Sequence, residues 1–431
     1  MRSARTLAIG AVALALVATG CTSSGDGGSD AGGDAVNGSI RVWTHTNKSF
    51  NKAYKALADE YIAENPGVSI DFTTFDYDTY IQTLQTSLPA GTEADVLQMF
   101  GSWTCSYSSN LATVPEDVAT VDQAKEEFFK GPLGGYNCDD ALYGLPQESN
   151  VEYGATLVNT AMAEDAGISL AGWDSYDAFM ADAKALTQTS GDKISRAGYH
   201  FTTNDGIAYT FLSLILQNGG AYIADDGTFT FTTPEAQASL ELMDSFVEEG
   251  IVDPVLFDDV SNWVGDCYFT EQCAMGLVGP WVVPEYAGDF PDVVADTEYV
   301  ALPTLENAEF AADSGWGLTT SAASQEQDLA WDFISYVTQN ADNALQWNLS
   351  TGTLPALKEN VQGDARDQLV AEASYTEPFL DILQDAQYLG SLPDRDRLFY
   401  KIIVPNVLAS MSGELTVDEA LTAIEQEANS L

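Results

Sequence analysis

Strand-like and helix-like stretches alternate through the first third of the chain, and that rhythm limits the fold more than any other feature. Ser39 to Thr44 alternates at period two and reads as a strand. Phe50 to Asn65 carries apolar residues at helical spacing, among them Phe50, Tyr54, Leu57 and Tyr61, and Asn65-Pro66-Gly67 stops it. Val68 to Phe75 is a second strand, Thr79 to Leu88 a second helix, and Ala94 to Phe100 a buried third strand ending in Gly101-Ser102-Trp103. Such βαβ order predicts an α/β chain built on a parallel sheet.

The rhythm restarts after Tyr143-Gly144-Leu145-Pro146-Gln147. Glu152 to Asn159 reads as a strand, and Ser175 to Leu186 as a helix capped by Ser175. Asp226-Gly227 marks a hairpin turn between Ala221–Ile223 and Phe229–Phe231. Thr233-Pro234-Glu235 opens a long helix that ends at Gly250. Ala274 to Val278 is an apolar run too short for a helix core, so it is expected as a strand buried on both faces of a parallel sheet. Gly279-Pro280 ends it and delivers Trp281 at the carboxyl end of that strand, the edge where open α/β sheets bind ligands. Further on, Gly315 to Thr320 reads as a strand and Gln325 to Gln339 as a helix.

With 431 residues there is room for two or three domains, and 45% hydrophobic residues supply a sizeable core. The 16 basic and 65 acidic residues give a net charge of −49. A surface this negative repels phosphate, which excludes nucleic acid as a partner, and it disfavours anionic membrane except through a covalent anchor. Self-repulsion of that size is relieved by salt, which fits a protein working in ion-rich surroundings.

The first residues read as a targeting segment. Arg2 and Arg5 precede an apolar run from Leu7 to Val17, and Ala18-Thr19-Gly20-Cys21 is similar to a bacterial lipobox. Residues 1–20 are therefore expected to be a lipoprotein signal, Cys21 the lipid-bearing residue and 21–38 a flexible Gly/Ser/Asp tether. The remaining cysteines, Cys105, Cys138, Cys267 and Cys273, suggest two disulfides in one of three pairings. The short loop from Cys267 to Cys273 favours a local bridge, which leaves Cys105 with Cys138. A metal site would need CxxC spacing or more than the two histidines, His45 and His200. Neither histidine sits in a catalytic pattern, and no cofactor or metal is expected.

Eight stretches in order carry a family resemblance: the segments beginning at Val42 and Thr86, Tyr143-Gly144-Leu145-Pro146, Phe211 to Gly220, Phe231 to Pro254, Cys273 to Trp281, Trp316 to Val337, and Thr351 to Ala356. Together they are similar to extracellular solute-binding proteins of ABC importers, in the sugar-binding branch that includes maltose-binding protein. The resemblance implies a two-lobed α/β fold of the periplasmic-binding-protein type II kind. A ligand cleft would lie between the lobes, with three hinge crossovers near 147–152, 300–306 and 350–354. Lobe 1 would take 39–146 plus 306–349, and lobe 2 would take 151–302 plus 355–431. It also implies a monomer, a sugar ligand, a membrane permease as partner, and a location on the outer face of the cytoplasmic membrane through the lipid anchor.

Carried over position by position, the resemblance nominates Trp281, Trp103, Trp316 and Tyr209 as ligand-facing rings, with Phe100 the alternative to Trp103. Asn47 and Lys48 match the polar pair after the first strand. Glu148 and Glu152 fall at the first crossover, and Asp313 near the second, where carboxylates would accept sugar hydroxyls. No catalytic residue is nominated. An extracellular glycoside hydrolase is the rival reading, but no pair of acids is marked out by the sequence. A binder of a non-sugar solute is another, since fold does not fix ligand.

Overall fold

The computed structural model describes residues 36–201, 205–253, 264–390, 392 and 394–431, with backbone alone at 152, 205 and 264–266. The expected signal segment, Cys21 and the expected tether up to residue 35 lie outside the described residues.

Five strands form the first sheet, in the order Gly67–Phe75, Asn37–His45, Val96–Phe100, Trp316–Thr320, Leu145–Pro146. The first three are parallel, and Trp316–Thr320 then runs antiparallel to Val96–Phe100 with Trp316 beside Phe100. The first strand begins at Asn37, two residues before the expected start. Its successor helix, Lys48–Glu64, is capped by Asn47, whose side chain accepts the Phe50 N–H at 3.0 Å. Such a cap contributes about 1 kcal/mol. The helix buries Phe50, Ala53, Tyr54, Leu57, Ala58 and Tyr61 on the sheet, each large side chain stabilising by roughly 1.5–3 kcal/mol. Because the parallel strands end and the antiparallel one begins at the same edge, His45, Phe75, Phe100 and Trp316 share it.

A second sheet joins Met275–Gly276, Ala155–Asn159 and Thr297–Ala301, all antiparallel. The expected buried strand over Ala274–Val278 is thus shorter and pairs antiparallel with Ala155–Asn159. On its other flank it meets the chain through isolated parallel bridges, Ala197 with Cys273 and His200 with Gly276. The burial expected on both faces is present, since Ala274, Met275, Leu277 and Val278 are all 2% exposed or less. The expected cap at Ser175 accepts the Ala178 N–H at 3.2 Å, and the helix expected to open at Thr233-Pro234-Glu235 does so with Thr233 accepting the Ala236 N–H at 3.2 Å. The Asp226-Gly227 turn closes a short bridge between Ile223 and Phe229.

These two sheets organise separate cores, as a two-lobed α/β fold requires. One core packs Val42, Leu57, Val96, Trp331 and Trp347 around the five-stranded sheet. The others gather helices Asp205–Gln217 and Pro234–Glu248 and the C-terminal helices around the second sheet. Two placements depart from the expected lobe boundaries. Phe310–Ala312, expected in lobe 1, pairs in parallel with Ala386–Tyr388 and is buried in the second body. Ala356 and Leu357, expected in lobe 2, pack on the first core, where Leu357 bridges Phe128. Apolar burial decides both cases, since each segment follows the core that covers it rather than the inferred crossover. Two stretches expected at the crossovers are paired with each other, Glu148–Ser149 with Leu354–Pro355. Both expected disulfides are formed, Cys105–Cys138 and Cys267–Cys273, each with Cα atoms 5.5 Å apart.

Candidate functional site

A cavity of about 270 Å³ opens where the shared edge of the first sheet faces the second body. From the first sheet come His45, Asn47, Phe50, Tyr77, Phe100 and Trp316, and from the crossing and the second body Glu148, Asn150, Tyr153, Trp281 and Tyr400. The strand ends bring His45, Phe100 and Trp316 there, and Asn47, Phe50 and Tyr77 come from the starts of the helices that follow the first two strands.

Trp316 is the centre of the aromatic wall. His45 stacks on its indole with ring centroids 4.3 Å apart. Phe100 and Tyr77 approach it edge-on or tilted, at 5.0 and 6.3 Å. Its backbone N–H donates to Glu148 Oε1 at 3.1 Å, tying the wall to the first crossing. The bond needs Gly315, which has φ +67° and whose Cβ, were there one, would lie 3.0 Å from the Glu148 carbonyl oxygen. His45 Nδ1 lies 2.8 Å from Gln98 Oε1, an oxygen that only accepts, so the imidazole carries its proton on Nδ1. Burial lowers its pKa to about 4 against the opposing Gln98 bond, so the ring is neutral at pH 7.

Behind the cavity lies a buried polar network. Tyr153 stacks on Tyr209 at 4.7 Å, and the Tyr209 hydroxyl donates to Asp313 Oδ2 at 2.5 Å. Arg395 donates to the Tyr209 hydroxyl at 2.8 Å and lies 3.4 Å from Asp313 Oδ2, with its guanidinium 4.4 Å from the Phe399 ring centre. Burial pushes the Asp313 carboxyl up, while Arg395, Tyr209 and the Ser314 N–H favour its charged form. Arg395 also donates to the Tyr400 hydroxyl at 3.3 Å, which carries the network to the cavity wall.

Of the residues nominated from sequence, Trp281, Trp316, Asn47 and Glu148 line this cavity together. Phe100, the alternative to Trp103, is also among the residues that line it, whereas Trp103 packs edge-on against Trp316 at 5.6 Å and is not. Tyr209 and Asp313 stand behind the wall rather than in it. Lys48 is not among the residues that line the cavity; it forms an exposed ion pair at 2.5 Å with Asp289, which follows Trp281 on the second body. Glu152 lies on the turn Glu152–Gly154, and its side chain falls outside the described atoms. Sequence reasoning did not nominate His45, Phe50, Tyr77, Asn150, Tyr153 or Tyr400. His45 could have been found, because it ends a parallel strand, the argument that nominated Trp281. Tyr400 and Arg395 carry no local signal; only the C-terminal fold brings them here.

The two-lobed fold with a cleft walled from both sides defines a binding protein of the bacterial extracellular class. The chain belongs to the bacterial extracellular solute-binding protein family, whose pattern matches residues 47–344. A binding protein of Brucella abortus (strain 2308) is 25% identical over 349 residues, 79% of this chain and 80% of that protein. Among solved structures, maltose-bound MalE3 of T. maritima superposes with a TM-score of 0.76 at 16% identity, covering 91% of this chain and 99% of that one. An ABC substrate-binding protein of Listeria monocytogenes in complex with cycloalternan gives 0.75 at 19% identity, covering 92% and 99%.

Proposed function

We propose that the chain is the receptor of an ABC importer, capturing a neutral sugar or short oligosaccharide between its lobes and passing it to a membrane permease. In this reading Cys21 carries the lipid that holds it at the outer face of the membrane. The observation that carries the proposal is the ring content of the cavity: Phe50, Tyr77, Phe100 and Trp316 on one side, Tyr153, Trp281 and Tyr400 on the other. Flat apolar faces with a few polar groups, here Asn47, Glu148 and Asn150, suit the alternating C–H and hydroxyl surface of a pyranose. Among the described residues no lysine or arginine lines the cavity, which disfavours sugar acids and phosphates. The maltose and cycloalternan seen in the two superposing structures support the same ligand class.

A receptor reading also fits the carboxylates better than hydrolysis does. Glycoside cleavage needs two acids about the scissile bond. Among the described residues Glu148 is the one acid in the lining, and its Oε1 already accepts the Trp316 N–H. Ligand contact with both walls would favour the closed state by its differential affinity. Calorimetric titration with a panel of mono- and oligosaccharides, with amino acids as controls, tests the proposal. Stoichiometric binding of a sugar without turnover is the expected result; turnover, or binding of amino acids alone, overturns it.

A further inference from the structure

A second cavity, of about 850 Å³, shares no lining residue with the aromatic cleft. Its floor is apolar: Phe128, Phe129, Leu133 and Leu380 are each 8% exposed or less. Its rim is basic. Lys and Arg make up only 16 of the chain's 431 residues, yet Lys125, Lys130 and Lys358 are three of the thirteen that line it.

The state of those lysines is the informative part. In a chain with 65 acids, a lysine finds a carboxylate readily, as Lys48, Lys55 and Lys184 do. None of the three rim lysines makes an ion pair among the described residues. Lys358 Nζ donates to the Lys125 and Glu126 carbonyl oxygens, at 2.8 and 3.2 Å, and Lys130 Nζ to Gln387 Oε1 at 2.5 Å. Asp381, the one acid in the lining, is held at 2.9 Å by Arg366. An apolar floor beneath three lysines that pair with no carboxylate among the described residues describes a site of a size that holds small molecules.

We infer that this cavity binds a small amphipathic anion, an apolar body carrying a carboxylate, sulfonate or phosphate, seated on Phe128 and Phe129 beneath Lys125 and Lys130. The anion would replace the carboxylate partners that these lysines lack. The walls come from segments 125–137 and 358–384, and the floor belongs to both cores, Phe128 and Leu133 to one and Phe129 and Leu380 to the other. An occupant therefore touches both bodies of the molecule.

The test uses the mature protein and two probes of similar shape, anionic 1-anilinonaphthalene-8-sulfonate and neutral N-phenyl-1-naphthylamine, titrated by fluorescence. One equivalent of the sulfonate should bind, at least about tenfold tighter than the neutral amine, and more weakly as salt rises. Lys125→Gln with Lys130→Gln, both exposed, should weaken the sulfonate about tenfold or more while leaving thermal unfolding unchanged. Val361→Trp, which crowds the wall and keeps the lysines, should abolish binding, and Trp281→Ala in the cleft should leave it intact. Equal affinity for the two probes, unchanged affinity in the lysine variant, or loss in Trp281→Ala would each overturn the inference.

Discussion

The imidazole of His45 lies face to face with the indole of Trp316, with ring planes 15° apart. One face of Trp316 is thereby covered from within the protein. His45 meanwhile is locked to Gln98 through both its backbone N–H, at 3.1 Å, and its Nδ1. A stack held at both ends presents a fixed wall, so the rings need little reordering when a ligand arrives.

Acidification should test that stack through stability. His45 has its folded pKa lowered from 6.5 to about 4, and the wholly buried His200 is lowered to about 3, both by burial. Between those values and 6.5 the unfolded chain binds protons that the native state does not. The stability is therefore complete above the unfolded pKa and is lost as pH falls below it. Urea unfolding at pH 7 and pH 5 should show the loss, and His45→Asn should shrink the difference by about one proton's worth of slope. An identical slope in the variant would mean that His45 titrates normally.

Trp281 is the largest ring offered by the second body to the cavity. Trp281→Ala should weaken sugar binding by about 1–3 kcal/mol, roughly 5- to 150-fold in Kd, without lowering Tm by more than a few degrees. Calorimetry against the sugar identified by the panel measures it; an unaltered Kd removes Trp281 from the site.

The Arg395–Asp313 pair is buried on both sides, with side chains 2% and 0% exposed. Deleting one partner strands a charge, so Arg395→Met should cost about 3–5 kcal/mol in chemical denaturation. Arg395→Met combined with Asp313→Leu should recover much of that loss, because neither charge is then left alone. Additive losses in the double variant would show that the pair does not act as a unit.

Lys48 and Asp289 are both exposed, and an ion pair of that kind contributes little in water. Lys48→Gln should leave sugar affinity within about threefold of the parent, at low and at physiological salt. A larger drop would return Lys48 to the list of ligand donors.

How much of this was legible beforehand depends on whether the signal was local. The cap at Ser175, the helix opening at Thr233-Pro234, the helix after Asn47 and the sheet rhythm through Phe100 rest on near neighbours in the chain, and they form as read. Trp281 and Trp316, both in the cavity lining, stand beside glycine or proline at strand ends: Trp281 after the run that closes in Gly279-Pro280, Trp316 between Gly315 and Gly317. Phe310–Ala312 was misplaced because its partner strand, Ala386–Tyr388, is remote in sequence and carries no strand pattern of its own. Lys48 shows the same limit. Its helix position was visible, but Asp289, which captures its amine, lies far along the chain. Tyr153, Tyr400 and Arg395 reach the cavity only once the second body has assembled.

Glu148–Ser149 and Leu354–Pro355 run side by side where the chain passes between its two bodies, and the Ser149 hydroxyl clasps the Pro355 carbonyl at 2.8 Å. Stitching the two stretches into one ribbon couples them: neither can slide past the other without breaking that ladder and the hydroxyl bond, so they bend together rather than one at a time.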